Sequence, residues 1–133
     1  MAGTTPAALA QKLAQHMAKL ATYTAPTTVY AALVTTDSSD ATAGTECVDA
    51  NYDRVPITLA NLFSDAGGVL TTILDILWPA AAASYTVHGI EFYDNTKSNG
   101  GARCLPFIPI SSVVVPINEQ FKLPAGSGTV TVS

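Results

Sequence analysis

One stretch, Tyr85 to Leu105 (YTVHGIEFYDNTKSNGGARCL), limits the folds open to this chain. Strand-forming residues run into a polar segment that holds Gly100-Gly101, and a second apolar run follows. Side chains alternate along an extended backbone, so Val87, Gly89, Glu91 and Tyr93 share one face and His88, Ile90, Phe92 and Asp94 the other. The pattern predicts a β-hairpin with a long polar turn, set in the middle of a β domain.

The flanking segments extend that reading. Thr22 to Asp37 turns at Ala25-Pro26 and then becomes a strand, and Val29 to Val34 is apolar on both faces, which suits a central strand. Asp37 to Gly44 is a loop of turn formers. In Asn51 to Leu59, Asp53, Val55, Ile57 and Leu59 are expected to face the core, with Tyr52, Arg54, Pro56 and Thr58 outward. Asp65-Ala66-Gly67-Gly68 is a further turn, and Leu70 to Trp78 reads as one strand stopped by Pro79. Leu105 to Ile117 carries Pro106, Pro109 and Pro116 among large apolar residues, so it belongs at an edge, at a corner between sheets, or in several short strands. Val113-Val114-Val115 would be an aggregation hazard on an open edge unless a partner covers it. Gln120 to Leu123 and Thr129 to Ser133 complete the set. The fold class expected is mainly β: a single antiparallel β-sandwich or jelly-roll-like domain of about eight short strands over residues 22–133.

Before it, residues 1–21 are expected to form an N-terminal helical arm. Thr4-Thr5-Pro6 is a helix start, with a hydroxyl to cap an orphan N–H and a proline where the missing N–H costs nothing. Leu9, Leu13, Met17 and Leu20 then fall on one stripe of an amphipathic α-helix, opposite Gln11, Lys12, Gln15 and Lys19. So short a helix is marginal alone in water, so its stripe is expected to dock on its own domain or on a neighbouring subunit.

Composition narrows the function. Charged residues are 12% of the chain against about 25% in an ordinary domain, and hydrophobic residues are 48%, which favours burial of surface against other chains. A net charge of −4 with scattered basic residues argues against a nucleic-acid binder. No apolar run reaches the roughly 20 residues of a membrane span, and no signal-peptide pattern opens the sequence, so assembly in a cytoplasm without membrane insertion is expected. Cys47 and Cys104 are expected as free thiols.

Catalytic signals are weak. His16 and His88 are the only histidines available as a base, and neither sits in a nucleophile motif. Asp37, Asp40 and Glu46 lack the spacing of a calcium loop. Glu91 and Asp94 are explained by a polar hairpin end rather than by a glycosidase pair. Gly67-Gly68 and Gly100-Gly101 are turn glycines, not a phosphate cradle. No enzymatic activity, cofactor or metal is expected.

Four segments, in order, resemble a family of small tailed-bacteriophage virion proteins labelled tail-fibre-like or capsid decoration proteins: TYTAPTTVYAALVTTD; GTECVDANYDRVPIT, with its GTE and Y-x-R elements; HGIEFYDNTKSNGGARCL, similar to an F-G-I-x-D-x-x-x-G-G pattern; and Pro116 to Val132, with an L-P-A-G and T-V-T ending. Here His88 stands where the family has a large aromatic residue, and Asn95 to Asn99 lengthen the turn. The resemblance implies a trimeric β-sandwich built into the virion. A capsid decoration, or cement, protein on the head shell is the placement expected, bound to the major capsid protein or another virion protein, because the chain shows no shaft or repeats. The alternative is a tail-associated fibre or adhesin module that meets a host glycan through Tyr93, Asp94 and Asn95; a stand-alone carbohydrate-binding sandwich is more distant.

Overall fold

A computed structural model describes residues 7–18, 24–39 and 41–131. Helix α1 spans Ala7–Met17, within the helical arm expected over residues 1–21; the Thr4-Thr5-Pro6 start and Leu20 lie outside the described residues. Nine strands follow: β1 (Thr28–Val34), β2 (Val55–Thr58), β3 (Phe63–Ala66), β4 (Val69–Thr72), β5 (Ile76–Leu77), β6 (Tyr85–Tyr93), β7 (Ile108–Val115), β8 (Lys122–Leu123) and β9 (Thr129–Thr131). They form antiparallel sheets in the orders β2-β1-β6-β7, β3-β4-β9 and β5-β8. The fold is mainly β and sandwich-like, with an N-terminal helix.

The central position of β1 follows from its apolar character on both faces: Val29, Ala31, Ala32, Leu33 and Val34 are all fully buried. β2 is an edge strand, and Pro56 sits in it, exposed, opposite Tyr30. Between β3 and β4, Gly67 and Gly68 form a two-residue turn with φ of 63° and 84°. Positive φ at both central positions lets the turn follow the twist of the strands, and a side chain there would be strained.

The β6–β7 hairpin is the longest pairing. Val87 faces Val113 and Gly89 faces Pro109, so His88 alone opposes Ile110, Ser111 and Ser112. This bulge turns the strand over. Val87 on one side of it and Ile90 and Phe92 on the other, although of opposite parity, all enter the same core. The regular alternation expected along Tyr85 to Asp94 therefore fails at His88. At Gly89 the strands close tightly, since a Cβ there would lie 3.2 Å from the Ile108 carbonyl oxygen and 3.3 Å from Val34 Cγ2.

Trp78 ties the small sheets to the large one. Its ring is fully buried, its Nε1–H donates to the Ala31 carbonyl at 3.1 Å, and it packs on Phe121 with ring centroids 5.6 Å apart. Leu62, Ile76 and Leu123 join Val29, Leu33, Ile90 and Phe92 in that core.

Leu70 to Trp78 is two strands rather than the single one expected. Thr72 accepts from the Gly126 N–H at 2.7 Å, and Asp75 Oδ1 accepts from the Ala125 N–H at 2.8 Å, so the chain leaves one sheet at Ile73 and enters another at Ile76. Periodicity along one segment could not reveal a switch made by a distant turn. Phe92→Ala, in the middle of the core and edge-on to Phe63, is expected to cost about 3–5 kcal/mol, read as a lower denaturant midpoint with an unchanged slope.

Candidate functional site

The residues that shape the working surface begin with a polar cluster beside the hairpin end. Asp53, expected to face the core, is exposed, whereas Tyr52 and Arg54 are buried. The inversion has an electrostatic cause. Arg54 Nε donates to Glu46 Oε2 at 2.8 Å and its Nη2 to Glu46 Oε1 at 2.9 Å, a bidentate pair. Its Nη1 donates to the carbonyls of Asn95, at 2.8 Å, and Gly100. The guanidinium lies 3.9 Å from the centroid of the Tyr93 ring. Tyr52 donates to Glu46 Oε2 at 2.7 Å while its oxygen accepts the Leu33 N–H, which ties the cluster to β1.

A second cluster lies across β6. Glu91 is fully buried and accepts from the Gly44 N–H at 3.2 Å, from Tyr93 Oη–H at 3.0 Å and from Arg103 at 3.3 Å. Nearby, the Asp49 carboxylate accepts from the N–H groups of Ala82, Ala83 and Asn51, which hold it below its ordinary range. Burial alone would raise Glu46; the hydrogen bonds from Arg54 and Tyr52 outweigh it and hold the carboxyl below its usual value. Burial pushes the Cys104 thiol up to about 12 and raises Cys47 as well. Both are free and buried, a poor setting for a nucleophile.

These groups consume one another. Tyr93 is committed to Glu91 and Arg54, Asp94 Oδ1 accepts the Ala102 N–H at 2.8 Å, and Asn95 Oδ1 accepts the Thr96 N–H at 2.8 Å. Of the residues expected at the hairpin tip, then, Tyr93, Asp94 and Asn95 lie together, and each is engaged within the chain. Arg54, Glu46 and Asp49 are the residues sequence reasoning missed. The Y-x-R and GTE elements held the signal, because Tyr52, Arg54 and Glu46 come from them.

On the helix, Leu9 is buried, Leu13 is half-buried and Met17 is 83% exposed. Leu9 and Lys12 line a shallow cavity with Pro26, Asp94, Arg103 and Cys104, so the stripe docks on its own domain at its start and leaves it towards its end.

A further exposed apolar surface lies at β7. This strand ends the four-stranded sheet, and its outer backbone groups have no ladder partner among the described residues. Val113, Val114 and Ile117 are exposed, and Val113 and Val114 line an open groove of about 640 Å³ together with Ile110, Pro116, Phe121 and Lys122. Leu77, opposite Lys122 in the β5–β8 pair, is also exposed. Among the described residues no cluster of three His, Cys, Asp or Glu side chains could hold a metal, and no helix is long and apolar enough to cross a membrane. The arrangement offers a strand edge with exposed valines at β7.

Replacing Arg54 by Met is expected to cost about 3–5 kcal/mol, since it leaves Glu46 and two carbonyls without their donor. Arg54→Lys is expected to recover little, because an ammonium cannot span the carboxylate and stack on Tyr93 together. Glu46 has a depressed folded-state value, so its contribution is present above about pH 4.5 and disappears as pH falls below it. Glu46→Gln is expected to flatten that acid limb in urea titrations run from pH 7 downward.

Residues 5–131 match the model of the family described as "Podophage GP4 fiber I protein gp80". No curated protein matches the chain. The chain belongs to this family of podophage fibre proteins, and is thereby a structural component of a phage virion.

Proposed function

From membership of a podophage fibre family, we propose that the chain is a self-associating structural subunit of the fibre apparatus, with copies joined through the β7 edge into a homotrimer. The observation that carries this reading is the open edge itself. Backbone N–H and C=O groups without a ladder partner among the described residues run along Val113 and Val114, whose side chains line a groove with Phe121 and Pro116, and Ile117 is exposed just beyond the strand. Apolar side chains at a bare strand edge invite pairing with any other strand, so their retention fits a surface that is covered in the assembled particle.

Symmetry follows from the two different halves of this surface. Pairing β7 with β7 is isologous and stops at two chains. Seating Ile117 of one copy in the groove of the next is heterologous, and gives a ring where its rotation closes and a filament where it does not. The trimer corresponds to the second geometry. Low charge over the whole chain supports the same reading, because little of the surface is built for water.

The family description supports a place in the fibre rather than the head-shell placement expected from the sequence. The two differ in stoichiometry, since a shell-decorating protein is present in hundreds of copies per particle and a fibre protein in a few multiples of three. The exposed Met17 end of the helix stripe is the further surface for attachment to another virion protein.

The purified chain is expected to have a mass in solution of three times 13.7 kDa by light scattering. Val114→Lys is expected to reduce it to a single 13.7 kDa chain with an unchanged circular dichroism spectrum, because Val114 is exposed in the isolated subunit. A wild-type monomer would reject the proposal, and a dimer would replace the heterologous contact by the isologous one.

A further inference from the structure

A cleft of about 330 Å³ opens at the bulge between β6 and β7. Its floor and walls include Asp37, Ser38, His88, Phe107, Pro109 and Ser111. His88 Nδ1 lies 3.1 Å from Asp37 Oδ1, with the carboxylate side chain 90% exposed and the imidazole 30% exposed. Ser38 Oγ is buried without a hydrogen-bond partner among the described residues, an exception that native interiors seldom leave unexplained. Strand bulges re-aim side chains and collect at binding sites. Here the bulge places His88 alone against Ile110, Ser111 and Ser112 and opens the space between them.

We propose that this cleft is a binding subsite for a neutral saccharide. The identification rests on what its groups can and cannot hold. A carboxylate only accepts hydrogen bonds, whereas imidazole and serine can both donate and accept, so adjacent sugar hydroxyls, each a donor and an acceptor, find partners on both sides. Phe107, half-buried, and Pro109 supply the apolar wall that the C–H face of a sugar ring needs. An anionic ligand would face the Asp37 carboxylate. A bound cation would need ligands beyond His88 and Asp37, and the described residues offer no third. A few convergent polar groups in a partly apolar recess of this size match the general build of a small-ligand site.

The site differs from the hairpin tip. At the tip Tyr93 Oη–H donates to Glu91, and Asp94 Oδ1 and Asn95 Oδ1 accept backbone N–H groups, whereas the cleft pairs the exposed Asp37 carboxylate with His88 between β6 and β7. It lies within one chain and does not require the β7 trimer contact.

The test applies the wild-type chain to a microbial glycan array and titrates the retained saccharide into ¹⁵N-labelled protein. Retention of at least one neutral saccharide is expected, with chemical-shift changes centred on Asp37, His88 and Ser111. Asp37→Asn and His88→Ala are expected to weaken binding at least about tenfold. Ser111→Tyr, at an exposed position on the wall, is expected to block the cleft to the same degree without removing its polar pair. An array that retains nothing, or binding left unchanged by Asp37→Asn and Ser111→Tyr, overturns the proposal. Circular dichroism and solution mass, measured on each variant, separate loss of the cleft from loss of the fold or of the assembly.

Discussion

The Arg54 guanidinium is the interaction on which the hairpin half of this protein depends. One planar cation meets Glu46 through two parallel hydrogen bonds, caps two carbonyls of the turn that follows β6, and lies over Tyr93. A long polar turn would otherwise cost loop entropy with little burial to offset it. Because the guanidinium is nearly buried, its desolvation is tolerable only with all of those partners in place. The cluster acts as a unit, and it fixes the loop from Gly44 to Arg54 against the turn from Asp94 to Arg103.

Glu91 shows the same logic further along β6, joined to the Arg54 cluster through Tyr93. A fully buried carboxylate in a central strand is a liability unless each lone pair is used, and here Tyr93, Arg103 and the Gly44 N–H use them. With the apolar core on one face and this polar layer on the other, β1 and β6 are covered twice. The sheet's remaining exposure is concentrated on β7. Both faces of the sheet at β1 and β6 are therefore covered by the chain's own residues, and β7 carries exposed valines at one of its edges.

The bulge and the recess arise from one local event. Three residues of β7 opposite His88 break the ladder, turn β6 over, and open the recess beside Asp37. Beyond the bulge, β7 resumes as the bare strand that carries Val113 and Val114. One irregularity thus separates the recess from the bare stretch along a single strand.

Much of this was legible in the chain. Two-sided apolar character made β1 central, three prolines sent β7 to an edge, and paired glycines made the β3–β4 turn, because each of these depends on neighbours within a few residues. The order of four short segments was enough to place the chain among phage virion proteins, since it was more specific than any single turn. What the sequence could not contain was which distant groups meet. Arg54 was assigned outward because its partners, Glu46, Asn95 and Gly100, are separated from it by loops of different length. The bulge at His88 and the sheet switch after Thr72 likewise arise from pairing with residues far along the chain. Periodicity determines which side chains avoid water; only the closed tertiary structure decides which charges and strand edges find partners, and at β7 it left one edge without any.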